Sequence, residues 1–184
     1  MKLRVYLSLL GAMLLVTGCG MPVALDDIAE ILVATPPGAA GSTGVPADPP
    51  PGAERATVTR IIDGDTIEVS IDGETFRVRY IGLNAPEWDE VCGSEATQAN
   101  ADLVAGREVT LVRDVSETDR YGRLLRYVYV DEVMVNAQLV ADGWVEANSY
   151  PPDVTYDDVL AEAGAEAREG GRGCWGPAWR GAFD

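Results

Sequence analysis

Two carboxylates flank a single glycine in the stretch "TRIIDGDTIEV", residues 59–69. Asp63-Gly64 would by itself make a two-residue hairpin turn, because Asp and Gly both tolerate positive φ. Asp65 is not needed for such a turn, and its charge repels that of Asp63. A bound cation would offset that repulsion, so the pair indicates a metal site. The alternative is a hairpin turn that carries a solvated acid.

Two further stretches concentrate polar residues, "RVRYIGLNAPE" (residues 77–87) and "TDRYGR" (residues 118–123). Taken singly, they read as a loop punctuated by proline and as a polar turn with glycine at a positive-φ position. Arg77 and Arg79 do not fit this interpretation, because they place two positive charges on one face of a predicted strand. Such a face suits an anion.

The composition limits the chemistry. The chain of 184 residues has a net charge of −16 and no histidine. This excludes histidine acid–base catalysis, Ser-His and Cys-His nucleophiles, and zinc sites that contain histidine. Carboxylates, arginine, tyrosine or a hard metal ion must then do the chemistry. An acidic protein repels nucleic acid, but the motif stretches predict a local basic cleft made of Arg77, Arg79, Arg120, Arg123 and Arg126.

The N-terminus has the pattern of a targeting segment. "MKLRVYLSLLGAMLLVTGC" begins with basic residues, and its apolar run is shorter than the ~20 residues that span a bilayer. Residues 1–18 are therefore predicted to be a signal peptide. "VTGC" resembles a bacterial lipobox, which implies cleavage before Cys19 and lipid on its sulfur. The alternative is an ordinary signal peptide that happens to contain a cysteine.

Residues 19–55 are predicted to be a flexible linker, because they are rich in Pro, Gly and Ala and lack aromatic residues. The folded domain is predicted to cover residues 56–184. Its hydrophobic periodicity favours strands over 57–62, 66–71, 74–82, 109–112 and 124–130, and helices over 94–105, 135–142 and 156–169. Five strands with a helix between the third and fourth predict an α+β fold, a small OB-fold β-barrel with three helices.

The three polar stretches, in this order, resemble the thermonuclease or staphylococcal-nuclease-like family. The resemblance runs from about residue 56 to residue 175, and "MVNAQLVADGW" (residues 134–144) is similar to the family's second helix. It implies the same five-stranded barrel with three helices. It also implies a monomeric, calcium-dependent enzyme that cuts DNA and RNA and leaves 3′-phosphates.

The resemblance also assigns metal ligands, all of them oxygen donors. Asp65 matches the family's first calcium carboxylate, and Asn84 falls where many members carry a second one. Ala85 falls where a backbone carbonyl reaches the metal. Asp63 matches an acid that supports the metal loop. This donor set suits Ca²⁺, which takes oxygen ligands.

The catalytic roles follow from the same resemblance. Glu87 matches the glutamate usually assigned as general base. Arg79 and Arg123 match the two arginines that bind the attacked phosphate, and Tyr121 falls near the nucleotide phosphate. A carboxylate base and guanidinium forks suit phosphodiester hydrolysis without histidine. A non-catalytic OB-type binding module of the cell envelope is the rival class, but it would be expected to have lost at least one of Arg79, Glu87 and Arg123.

The cysteines indicate the cellular compartment in which the protein resides. If Cys19 carries lipid, Cys92 and Cys174 remain as an even pair in an oxidising compartment. We therefore expect a disulfide between them, with two unpaired thiols as the alternative. The lipid anchor places the protein on the cell membrane, facing the extracellular or periplasmic side.

Overall fold

The computed structural model describes residues 49–183. The predicted signal peptide, Cys19 and most of the predicted linker lie outside this range. Five longer strands are present: β1 (Glu54–Ile61), β2 (Thr66–Ile71), β3 (Glu74–Tyr80), β5 (Glu108–Val112) and β6 (Leu124–Val130). Three strands of two residues are β4 (Leu83–Asn84), β7 (Val133–Met134) and β8 (Glu146–Ala147). The helices are α1 (Gly93–Val104), α2 (Val135–Ala141) and α3 (Asp157–Glu169), followed by 3₁₀ turns at Gly173–Trp175 and Pro177–Trp179.

The five longer strands close into a mixed barrel. They follow the order β3-β2-β1-β5-β6 through antiparallel pairs, and β3 then pairs in parallel with β6. The register of the closing pair sets Arg79 beside Leu125. The predicted α+β architecture, a five-stranded barrel with three helices, is confirmed. None of the helices within residues 49–183 is both long and apolar enough to cross a bilayer.

Alternation along the strands fills the barrel. Ile67 and Val69 of β2 are fully buried and lie opposite Val78 and Phe76 of β3. Helix α2 covers the barrel with buried Leu139 and other apolar side chains. Burial of one such aliphatic side chain stabilises the fold by roughly 1.5–3 kcal/mol, so this core can hold a polar site at its surface.

The Asp-Gly pairs that precede and follow β2 adopt different backbone conformations. Asp72 and Gly73 join β2 to β3 with φ of 50° and 89°, as a two-residue hairpin turn of this kind requires. Asp63 and Gly64 are not among the residues with positive φ. The positive-φ hairpin turn that was the alternative interpretation of Asp63-Gly64 is therefore not formed.

Some predicted boundaries also shift. The first strand begins at Glu54 rather than at residue 57, because Glu54 pairs with Leu111 of β5. The third strand ends at Tyr80 rather than at residue 82. Gly82 has a φ of 80°, which turns the chain into β4, and β4 pairs with β8.

Candidate active site

The segment Asp63–Thr66 is built around a buried carboxylate. Asp65 is only 5% exposed. Its N–H donates to Asp63 Oδ1 at 3.0 Å, and its Oδ1 accepts from the Thr66 hydroxyl at 3.0 Å. A Cβ on Gly64 would lie 2.8 Å from Ala85 Cβ and 3.0 Å from that of Ala96. Glycine is therefore required here because the β1–β2 connection packs against the loop after β4 and against α1.

Asp65 joins this segment to the second polar stretch. Its Oδ2 accepts the N–H of Ala85 at 2.7 Å and faces Nη2 of Arg79 at 3.1 Å. Burial raises the pKa of Asp65 to about 6, although Arg79 lowers it. Arg79 thus compensates only part of the cost of burying this charge.

Arg79 lies between the two predicted side-chain metal ligands. Its Nη2 is 3.1 Å from Asp65 Oδ2 and donates to Asn84 Oδ1 at 3.4 Å. Its Nη1 donates to the carbonyl of Tyr80 at 2.8 Å. The Arg79 side chain is 13% exposed. The structure therefore brings Asp65 and Asn84 together around one guanidinium group, and Ala85 is bound to Asp65 through its N–H.

The donors fit a hard cation held loosely. Asp65 supplies one buried carboxylate, and Asn84 and the Ala85 carbonyl supply neutral oxygens, which is the ligand chemistry of Ca²⁺. No cluster of three or more His, Cys, Asp or Glu side chains suited to a metal occurs within residues 49–183. A metal here would depend on one charged ligand and on oxygens from water or substrate. The raised pKa of Asp65 is consistent with a carboxylate that lacks part of its compensating positive charge.

The third polar stretch is ordered by Asp119. Its Oδ2 accepts from Arg123 Nε at 2.7 Å, and its Oδ1 accepts from the backbone N–H groups of Tyr121 and Arg123 at 2.9 and 3.0 Å. Burial opposes ionisation of Asp119, but these hydrogen bonds outweigh it and hold its pKa below the ordinary value. Tyr121 is exposed, with the guanidinium carbons of Arg120 and Arg123 at 4.7 and 5.6 Å from its ring centroid.

A pocket of about 540 Å³ is lined by residues of the second and third polar stretches. Arg79, Arg123 and Tyr121 line it together, so both predicted phosphate arginines reach one cavity. Arg120 and Tyr150 also line it, and the exposed ring of Tyr150 is a candidate contact for a nucleobase.

Arg126 does not contribute to this cleft, and its predicted place there is wrong. Leu125 lines the pocket, whereas Arg126, the next residue of β6, lines a separate groove on the other side. Successive side chains of a strand point to opposite faces. Arg126 is buried, and its guanidinium pairs with the carboxylate of Glu117.

Glu87 lies on the short exposed loop between β4 and α1. Its N–H donates to Glu90 Oε2 at 2.9 Å, and its carbonyl accepts the N–H of Glu90, also at 2.9 Å. The residue is exposed and follows Ala85, which is bound to Asp65, by one proline. Glu87 does not line the 540 Å³ pocket. Its exposed carboxylate, close in sequence to the predicted metal ligands Asn84 and Ala85, can accept a proton from water.

Two buried asparagines position the site and were missed by the sequence analysis. Asn100 of α1 accepts from the Tyr80 hydroxyl and donates to the carbonyl of Asp63, each at 2.9 Å. Asn136 of α2 accepts from Val128 N–H at 2.8 Å and donates to the carbonyl of Ile81 at 2.9 Å. Both are 0% exposed. An asparagine at helical spacing within an apolar face was the available signal, since buried amides need partners.

The predicted cysteine pair lies behind the Glu87 loop. Cys92 and Cys174 are joined by a disulfide with Cα atoms 5.8 Å apart. Both residues are 2% exposed.

Comparison with known proteins gives consistent matches. The family model described as "Staphylococcal nuclease homologue" matches residues 77–177, a range that holds Arg79, Asn84, Glu87 and Arg123. The thermonuclease of Staphylococcus intermedius is 34% identical over 128 residues, covering 66% of this chain and 76% of the relative. The micrococcal nuclease of Shigella flexneri is 38% identical over 130 residues, covering 66% and 73%. Endonuclease YncB of Bacillus subtilis is 35% identical over 127 residues, covering 65% and 60%.

The order of the three polar stretches, the closed barrel and these matches agree with one another. The chain belongs to the staphylococcal nuclease family.

Proposed function

We propose that this protein is a calcium-dependent nuclease that hydrolyses phosphodiester bonds of DNA and RNA and leaves 3′-phosphates. The observation that carries the proposal is the shared pocket of Arg79 and Arg123 beside the buried Asp65. Hydrolysis of a phosphodiester requires a positioned water and stabilisation of negative charge on the phosphoryl oxygens. The pocket offers two guanidinium groups for that charge, and family membership supports the same chemistry.

The arginines would hold the phosphate. Each guanidinium offers a planar fork of donors to two oxygens, a geometry that lysine does not reproduce. Arg79 already donates to the Tyr80 carbonyl and lies against Asp65, so its orientation is fixed before substrate arrives. Arg123 is fixed in the same way by Asp119. Phosphate binding would therefore require little rearrangement of β3 or of the loop that carries Arg123.

Glu87 would act as the general base. It would remove a proton from a water molecule, the water oxygen would attack phosphorus, and the P–O5′ bond would break as the 5′-oxygen takes up a proton from solvent. The products are a 3′-phosphate and a 5′-hydroxyl. A calcium ion held by Asp65, Asn84 and the Ala85 carbonyl would supply Lewis-acid stabilisation of the phosphate charge.

The place of action is also a proposal. We infer a monomer anchored by lipid on Cys19 and tethered by residues 19–55 on the outer face of the cell membrane. The lipobox-like "VTGC" and the composition of the linker support it. The disulfide between Cys92 and Cys174 supports an oxidising compartment.

The test is the turnover of Glu87→Gln on a labelled single-stranded DNA oligonucleotide at saturating calcium. We expect kcat to fall by roughly 10²–10⁴, the usual contribution of a positioned acid–base group. Glu132→Gln, in the exposed turn between β6 and β7, is the matched control and should retain wild-type turnover. Near-wild-type turnover in Glu87→Gln, with circular dichroism unchanged, would overturn the role of Glu87. Absence of cleavage by the wild-type protein would instead favour a binding module.

A further inference from the structure

The loop that carries Glu87 has few apolar contacts of its own. Residues 87–91 are all exposed, including Trp88 and Val91. Its internal hydrogen bonds join Glu87 to Glu90, and Glu90 to the N–H of Gly93 at 3.1 Å. Exposed loops held by a few hydrogen bonds open readily, yet a general base must be held in place to act.

One end of the loop is pressed against the start of α1. A Cβ on Gly93 would lie 1.8 Å from the carbonyl oxygen of Glu87, so the two backbones are in direct contact. Cys92, the residue between the loop and α1, has a φ of 68°. Residues other than glycine rarely adopt this left-handed backbone conformation. The left-handed conformation of Cys92 therefore requires a stabilising contact elsewhere in the fold.

The partner cysteine is fixed on the body of the domain. The N–H of Cys174 donates to the Gly143 carbonyl at 2.9 Å, just after α2. A Cβ on Gly143 would lie 2.4 Å from the carbonyl oxygen of Arg172, and Arg172 Nη1 donates to Ala141 at 2.8 Å. Cys174 thus lies where the segment after α3 packs against the end of α2.

We propose that the Cys92–Cys174 disulfide positions Glu87 for catalysis by fixing the left-handed Cys92, and through Gly93 the backbone of Glu87, to the helical body. This inference rests on the proposed nuclease function and extends it. Cys92 and Cys174 are positioning residues, since neither would contact substrate. Reduction adds two electrons and two protons to the pair and yields two thiols, so it releases the loop without changing Glu87 itself.

The barrel should not depend on this bond. The hydrogen bonds that hold Asp65, Arg79 and Asn100 are made by the β1–β2 connection, β3, the residue after β4, and α1, and none of them involves Cys174. Reduction is therefore expected to loosen Glu87 while the metal ligands and phosphate arginines stay in place.

Amide hydrogen exchange tests the positioning without any measurement of activity. Dithiothreitol would serve as the reductant, its own dithiol becoming a disulfide. We expect protection of the Glu90 and Gly93 amides to fall about tenfold or more on reduction, with Tyr80 and Val128 in the barrel unchanged. The double variant Cys92→Ser/Cys174→Ser should exchange like the reduced protein without reductant. Unchanged protection at Glu90 and Gly93 would overturn the proposal.

Kinetic measurements test whether reduction of the disulfide lowers turnover by displacing Glu87. Reduction should lower kcat of the wild type about 10–100-fold, with KM for the oligonucleotide nearly constant, because only the base is displaced. The residual rate of Glu87→Gln should change less than about twofold on reduction, since no base is left to misplace. An equal loss in both proteins would show a general structural role and refute the proposal. An inactive oxidised wild type would refute the nuclease function, and the amide exchange would still decide the positioning.

Discussion

The pairs Asp63-Gly64 and Asp72-Gly73, which flank β2, share a sequence and differ in burial, backbone conformation and packing. Asp72-Gly73 is exposed, has positive φ at both residues, and leaves nothing within 4 Å of a Cβ built on Gly73. Asp63-Gly64 is enclosed, lacks positive φ, and leaves no room for a Cβ between Ala85 and Ala96. In the first pair glycine serves the backbone conformation. In the second it serves close packing beside the buried carboxylate of Asp65.

An Asp-Gly motif can therefore serve either a backbone turn or a packed site. What separates the two pairs is the neighbour that follows. After Gly73 comes the exposed Glu74, whereas after Gly64 comes Asp65, bound to the Ala85 N–H and to Arg79. In the substitutions below, the segment Asp63–Asp65 is tested as part of the site, and Asp72-Gly73 serves as the control.

The largest contrast is expected for the carboxylates. Asp65→Asn removes the only carboxylate among the predicted metal ligands, and we expect cleavage of DNA at a fixed calcium concentration to fall by roughly 10²–10⁴. Asp72→Asn should leave cleavage unchanged, and unfolding free energy within about 0.5 kcal/mol, because Asn also tolerates left-handed φ. Initial rates and urea unfolding of both variants provide the comparison. Equal activity in the two variants would remove the distinction between the turns.

The glycines should show a smaller contrast. Gly64→Ala forces a methyl group against Ala85 and Ala96, which costs about 1–3 kcal/mol of overpacking. Because Ala85 is part of the predicted metal site, activity should also fall about tenfold. Gly73→Ala should cost about 1 kcal/mol through its positive φ and leave kcat unchanged. If Gly73→Ala reduced kcat as much as Gly64→Ala, the β2–β3 turn would belong to the site.

The pH dependence of calcium binding gives the next effect. Burial raises the pKa of Asp65 to about 6, so below pH 6 the proton competes with the ion for this carboxylate. Calorimetry should show the calcium dissociation constant rising toward about tenfold per pH unit below 6 and levelling off above 7. Asp72→Asn should follow the wild-type curve. A dissociation constant that is flat from pH 5 to pH 7 would show that Asp65 does not bind calcium.

Asn84 should give the smallest effect. Asn84→Asp keeps the oxygen that now accepts from Arg79 and adds a negative charge to the ligand set. Since calcium affinity depends on ligand charge, half-maximal cleavage should need several-fold less calcium, with a modest change in rate at saturation. Superimposable calcium titrations would place Asn84 outside the coordination sphere and leave it as a partner of Arg79 alone.

Local pattern and motif order were sufficient to predict much of this molecule. Alternation in residues 66–71 predicted β2 with its bounds, and the closing of five strands into a barrel followed from their number and spacing. Arg79 and Arg123 were predicted to act together, and they line one pocket. Each of these features depends on residues close in sequence or on motifs with a fixed order.

Long-range packing explains what was missed. Gly64 looked like a turn glycine because Ala85 and Ala96, which exclude a side chain there, lie far along the sequence. Arg126 was placed in the cleft because the sequence does not show which face of β6 meets the pocket. Asn100 holds the Asp63 carbonyl from a helix, and its role appears only once α1 is docked.

The chemical nature of the cut ends distinguishes the proposed calcium-dependent hydrolysis from other modes of DNA cleavage. A DNA oligonucleotide of defined sequence would be digested by the wild-type protein with calcium, with calcium plus chelator, and by Asp65→Asn, and the fragments weighed by mass spectrometry. We predict fragments with 3′-phosphate and 5′-hydroxyl ends in calcium, and almost none with chelator or with Asp65→Asn. Fragments with 5′-phosphate ends, or cleavage that persists in chelator, would contradict the account.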